Sequence, residues 1–157
     1  RISNLSWQLL IVGDGPMRQA LEQRFTSLDK NRVKFLGALR DSDVAITLNA
    51  SDLFVWPAIK EAYGMAILEA QAAGLPVIAG DSGGVGQIVC NGKTGILTKE
   101  GNIKDFADAV GSLLTDTTRR SAMAEAAKQV AKRDHSFEQA AITLDSILIE
   151  SQKGKAR

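Results

Sequence analysis

The sequence predicts an α/β domain built on a doubly wound parallel sheet with flanking helices. Three observations predict it. Short apolar runs rich in branched residues recur along the chain, and such runs read as parallel strands covered on both faces. Stretches with apolar residues at helical spacing separate them. Glycine or proline ends most of the runs, where a strand must turn toward the next helix. Ligands on such sheets bind at the carboxyl ends of the strands. The loops at Gly13, Gly37, Pro57 and Gly80 all fall on that edge, so they are expected to converge on one crevice.

The elements follow in order. Residues 7–12 (W-Q-L-L-I-V) form the first strand, and Gly13-Asp14-Gly15-Pro16 ends it in a tight turn. This turn either touches a ligand or only shapes a strand-to-helix corner. A helix over 17–28 carries Met17, Ala20, Leu21, Phe25 and Leu28 on one face. Residues 32–36 are the second strand, closed by Gly37. Asp41 or Ser42 is the expected cap of the next helix, which runs to about Asn49. Residues 53–56 form the third strand. A loop then leads to a helix ending at Gly74, and 76–79 form the fourth strand. That helix is apolar almost all round, as a helix buried on several sides would be. Residues 80–86 hold four glycines in G-D-S-G-G-V-G, before a short helix at 87–90 and a last strand at 96–98. From Asn102 the chain is helical, and Ser136 with Gln139 forms a capping box for the final helix.

Composition narrows the class. The chain has 157 residues, enough for a full core. It is 45% hydrophobic and 24% charged, which fits a globular protein rather than a disordered one. A net charge of +1 gives no electrostatic footprint for nucleic acid. The single cysteine, Cys90, rules out an internal disulfide, fits a reducing compartment and reads as a buried, inert thiol. No cluster of cysteine and histidine has metal-ligand spacing. The one histidine, His135, lies at a helix start far from the central loop, so no Ser-His-Asp arrangement is built on it.

The chemistry gathers in residues 56–80, W-P-A-I-K-E-A-Y-G-M-A-I-L-E-A-Q-A-A-G-L-P-V-I-A-G. Glu61 precedes the helix, and Glu69 lies about one turn inside it. The first N–H groups of a helix have no partner within it, and its dipole places positive charge there. That end suits a phosphate, and Gly64 lets one approach the backbone. A carboxylate only accepts hydrogen bonds, which matches Glu69 to ribose hydroxyls and Glu61 to those of a second sugar. The stretch has the outline of a site for a nucleotide-sugar. Lys60 is an adjacent cation that either reaches a phosphate or stays in solvent. Tyr63 is either a packing or a cleft residue, while Trp7 and Trp56 read as core.

Glu61 and Glu69 are separated by seven residues, within E-A-Y-G-M-A-I-L-E-A-Q-A-A-G-L-P-V-I-A and followed by Gly83-Gly84. This text resembles the nucleotide-sugar half of family 4 retaining glycosyltransferases. The resemblance covers about residues 9–149. It implies a Rossmann-like domain, the C-terminal half of a GT-B fold, over residues 1–150, with 151–157 as a disordered basic tail. It implies that Glu61 contacts the transferred sugar and is the catalytic candidate, and that Glu69 binds the ribose. It assigns the diphosphate to main-chain groups around Gly64, Met65 and Ala66, with Ala62 and Tyr63 in the same loop. It assigns the base to the backbone of Ala38 and Leu39. Gly13, Gly15, Gly83 and Gly84 complete the expected donor-binding set. The implied donor is a UDP-, GDP- or ADP-sugar, with no metal and no further cofactor.

By the same resemblance, the chain is expected to be a fragment, inactive alone, of a cytoplasmic enzyme that lies free or at the cytoplasmic membrane face. Its partners would be a nucleotide-sugar and a missing N-terminal acceptor domain, with self-association of the fragment expected and no nucleic acid. Three departures stand out. An Arg and a Lys that the family carries upstream of L-I-V-G-D-G-P are absent, as is the acceptor half. Gly86-Gln87 replaces Pro-Glu, and Ala58 replaces Ser. The competing readings are a nucleotide-binding module without catalysis and a nucleotide-sugar epimerase on the same fold.

Overall fold

A computed structural model describes residues 2–28 and 31–154. The elements run β1 (Leu9–Val12), α1 (Arg18–Arg24), β2 (Val33–Gly37), α2 (Asp41–Asn49), β3 (Phe54–Trp56), α3 (Met65–Ala72), β4 (Val77–Asp81), α4 (Val85–Ile88), β5 (Gly95–Lys99), α5 (Ile103–Thr115), α6 (Thr117–Asp134) and α7 (Phe137–Gly154). The five strands expected from the sequence are present and every pairing is parallel. They are hydrogen-bonded as two sheets, β1-β2 and β3-β4-β5.

β4 is the centre of the core. Residues on a strand alternate between faces, and both faces of β4 are covered. Val77 and Ala79 pack with Ile67 and Ala70 of α3 and with Val85 and Ile88 of α4. Ile78 packs on the other face with Ala109 and Leu113 of α5 and Met123 of α6. Helices on both faces are the doubly wound arrangement.

β1 departs from the expectation of full burial. Leu10 is 36% exposed and Val12 40%. The physical reason is local: β1 pairs with β2 alone, and α1 buries none of its residues. α1 is also shorter than its apolar pattern predicted. Arg32 ties β2 to the N-terminal segment instead, donating to the carbonyls of Ser3 and Leu5 while its guanidinium lies 4.4 Å above the Trp7 ring.

The helix ends show which sequence signals decided. α3 closes in a Schellman arrangement: Leu75 N–H donates to the Ala70 carbonyl and Gly74 N–H to that of Gln71, with Gly74 at φ 83°. Ser136 Oγ accepts from Gln139 N–H, as the capping box requires. α2 differs from expectation, because Arg40 is its N-cap residue and makes no side-chain cap. Asp41 and Asp43 sit within its first turn, where they act through the dipole. α7 continues through Gly154, four residues past the expected boundary at 150. Lys155, Ala156 and Arg157 lie outside the described residues. No helix among the described residues is long and apolar enough to cross a membrane.

Candidate functional site

The loop between β3 and α3 and the loop after β4 fit against each other at the carboxyl edge of the three-stranded sheet. Their meeting depends on glycine. A Cβ on Gly80 would come within 2.5 Å of the Ala58 carbonyl oxygen, and one on Gly84 within 2.7 Å of that of Ala62. Gly84 N–H donates to the Ala62 carbonyl at 3.0 Å. Glu61 N–H donates to Ser82 Oγ at 3.2 Å, and Ser82 is buried. Gly83 and Gly84 therefore shape the Glu61 loop, a packing role that the sequence did not separate from a simple turn.

Gly64 is the N-cap of α3 and holds a left-handed conformation, φ 94° and ψ 51°. Side chains are disfavoured there, so the sequence places its glycine where the backbone needs one. The Gly64 carbonyl accepts from Ile67 and Leu68 N–H. The N–H groups of Met65 and Ala66 have no partner among the described residues. They form the open, partly positive end of the helix. Glu69 is exposed one turn further along, and Glu61 is half-buried just before the turn. The chain thus holds two carboxylates on either side of unpaired amide donors. Such a set can hold an anion in the middle and hydroxyl groups at each end.

Glu61 is also held by its side chain. Trp56 Nε1 donates to Glu61 Oε2 at 3.1 Å. Trp56 is 37% exposed at the end of β3 and is no core residue. Lys60 adopts φ 54°, a left-handed conformation rare outside glycine, and makes no ion pair among the described residues. Tyr63 is 42% exposed, with its backbone against Gly84.

The other expected residues form a second group. Gly13 N–H donates to the Gly37 carbonyl at 2.8 Å, which joins the first two turns. Ala38 is exposed and Leu39 half-buried just beyond. Arg18, a cation the sequence reading passed over, lies against Gly37. Its guanidinium donates to Glu22 at 2.8 Å and Asp14 at 3.2 Å. Glu22 first, and then Asp14, raise its pKa above the ordinary arginine value. Two carboxylates surround one cation, so this corner carries no net positive charge for a phosphate. No hydrogen bond or ion pair among the described residues joins this group to the Glu61 loop. Hydrogen bonds thus tie the four loops together in two pairs, Gly13 with Gly37 and the Glu61 loop with the loop after β4.

Two hollows lie at carboxyl ends of strands, one at each sheet. One, of about 320 Å³, is mostly apolar; its lining includes Pro57, Ala58, Ile59, Ile103 and Phe106, with Lys99 and Asn102 among the polar residues. The other, of about 250 Å³, includes Gly13, Asp14, Gly15 and Arg18. Glu61 and Glu69 line neither, and stand on an open face. Cys90 is exposed, contrary to the buried thiol expected from the sequence. His135 caps the end of α6, away from these loops. Among the described residues no group of three His, Cys, Asp or Glu side chains is gathered as for a metal ion.

Comparison with known proteins bears on this geometry. The family pattern "Glycosyl transferases group 1" matches residues 1–130. A GDP-mannose-dependent monoacylated alpha-(1-6)-phosphatidylinositol monomannoside mannosyltransferase of Corynebacterium glutamicum is 38% identical over 148 residues, covering 90% of this chain and 38% of that protein. A D-inositol 3-phosphate glycosyltransferase of Rhodococcus erythropolis is 36% identical over 144 residues, covering 87% of this chain and 32% of its own length. The chain thus spans well under half of either relative. Among solved structures, Anabaena HepE in complex with UDP-glucose superposes with a TM-score of 0.76 at 32% identity, covering 88% of this chain and 41% of that one. On these matches, the chain belongs to the glycosyl transferases group 1 family.

Proposed function

We propose that the chain is the C-terminal, nucleotide-sugar-binding half of a retaining glycosyltransferase of GT-B architecture. The parent protein would transfer a sugar from a nucleotide donor to the hydroxyl of an acceptor molecule bound by its other half. One observation carries the proposal: the left-handed Gly64 turn presents two unpaired amides, Met65 and Ala66, between Glu61 and Glu69. Glu69 accepts from the ribose hydroxyls, the two amides meet the diphosphate, and Glu61 accepts from the transferred sugar.

The chemistry follows from the charge. As the bond between the sugar and the diphosphate breaks, negative charge grows on the departing oxygen. Amides already aimed at that position stabilise it without reorganising. The acceptor oxygen forms the new bond on the face the diphosphate leaves, and its proton passes to the departing diphosphate oxygen. By the resemblance, neither a bound metal nor a covalent nucleophile is needed. The family's first strand-end loop, with its Arg and Lys, would add cations that this chain's Arg18 corner does not supply.

The relatives support the class of donor and differ in its base. One is named for GDP-mannose, and a structural neighbour is titled as a complex with UDP-glucose. We assign the donor class as a nucleoside-diphosphate sugar, in a protein of the cytoplasm or its membrane face, with no role for nucleic acid. Calorimetric titration of the chain with UDP, GDP and ADP tests this. Saturable binding of one of the three supports the donor reading, and no binding by the folded chain contradicts it.

A further inference from the structure

Glu61 is fixed more firmly than a loop residue needs to be. Its N–H is bound to buried Ser82. The residue before it, Lys60, holds a left-handed backbone, a conformation that persists only where the surroundings impose it. One carboxylate oxygen, Oε2, accepts from the Trp56 indole N–H. No described residue donates to the other, Oε1.

Trp56 is itself held. Its ring stacks on Phe54 at 5.9 Å between centroids and 15° between planes. The two are two residues apart on β3, so their side chains share a face. Phe54 in turn packs against the core cluster of Ile67, Val77 and Val85. A rigid line therefore runs from the core through Phe54 and the indole to one oxygen of Glu61. A tryptophan more than a third exposed leaves apolar ring surface in water and forgoes part of the gain from burial. Its N–H donates to the candidate sugar-binding carboxylate.

We propose that Trp56 is a positioning residue for the transferred sugar, acting through Glu61. By engaging Oε2 it turns Oε1 outward in a single orientation, ready to accept from a sugar hydroxyl. This rests on the reading of Glu61 as the sugar contact. It goes beyond that reading by assigning sugar discrimination to an indole N–H that touches no part of the donor.

The test compares a nucleoside diphosphate with its matching nucleotide-sugar, by calorimetry, on the wild-type chain and on Trp56→Phe. Phenylalanine keeps an aromatic ring beside Phe54 and removes the N–H donor along with part of the ring area. The expected result is unchanged affinity for the nucleoside diphosphate. The affinity ratio of nucleotide-sugar to nucleoside diphosphate should fall about threefold to tenfold, the scale of one ordinary hydrogen bond. A second readout needs no variant: tryptophan emission of the wild type should change with the nucleotide-sugar and not with the nucleoside diphosphate alone. An unmoved ratio in Trp56→Phe, or an equal loss for both ligands, overturns the proposal while leaving the donor site standing. Absence of nucleoside-diphosphate binding by the wild type overturns the donor reading, and this inference with it.

Discussion

A Cβ placed on Gly83 would lie 1.8 Å from the carbonyl oxygen of Glu61. No rotamer relieves that collision, because both atoms belong to backbone. Gly83 also sits at φ 55°, where a side chain is disfavoured. Gly83→Ala must therefore push the two loops apart. We expect a loss of about 1–3 kcal/mol in folding stability, read from denaturant midpoints, with weaker nucleotide-sugar binding. Gly15→Ala is the control. Its Cβ would meet nothing within 4 Å and its φ needs no glycine, so its stability should stay within about 0.5 kcal/mol of wild type.

The side chain of Glu69 is exposed and makes no hydrogen bond or ion pair among the described residues, so little of the fold depends on it. Glu69→Ala should leave the melting transition almost unmoved. It should weaken nucleoside-diphosphate binding by about 1–3 kcal/mol, the range for lost hydrogen bonds to a charged group. Calorimetry on the folded variant checks this, and unchanged affinity would remove Glu69 from the site.

Gly64→Ala probes the phosphate position. At φ 94° a side chain costs about 1–2 kcal/mol, and the new Cβ would approach Ile67 Cδ1 to 3.0 Å. The helix start should shift and the two amides should lose their common aim. Affinity for inorganic pyrophosphate and for the nucleoside diphosphate should fall together, in contrast to Trp56→Phe.

α7 exposes Ile142, Leu144, Ile147, Leu148 and Ile149, each at least half open, and Phe137 at 93%. Apolar side chains exposed in this number along one helix favour association, as do the edges of β1 and β3 that pair with no further strand among the described residues. Light scattering should show mass rising with concentration. Replacing Ile142 and Ile149 by Glu should suppress the rise. A strictly monomeric wild type would count against this.

Much of the fold was legible because its signals are local. Apolar runs and terminal glycines located the five strands, and Gly74 marked the end of α3. The Glu61, Gly64 and Glu69 arrangement was legible for the same reason: its three residues lie within nine positions of the chain. What was missed depends on contacts distant in sequence. Gly83 reads alike as a turn or as a close approach to Glu61, since only the fold brings the two together. The hydrogen bond from Trp56 to Glu61 had a signal, an aromatic five residues before the carboxylate, but a strand-end tryptophan is most simply read as core. An apolar pattern all round α3 hid the burial of Gln71, whose Nε2 donates to buried Thr94 at 2.9 Å. The exposure of β1 has a similar cause, because an apolar run states what a strand should meet and not whether the neighbour is there.

The most direct measurement is amide chemical-shift mapping on the isotope-labelled chain, titrated with whichever nucleoside diphosphate it binds. The account predicts that the largest shifts fall on Gly64, Met65 and Ala66, with Glu69 among the residues affected and the α5 end of the apolar hollow at Ile103 unmoved. Saturable binding with Met65 and Ala66 unmoved, and the shifts centred on Ile103 and Phe106, would contradict it.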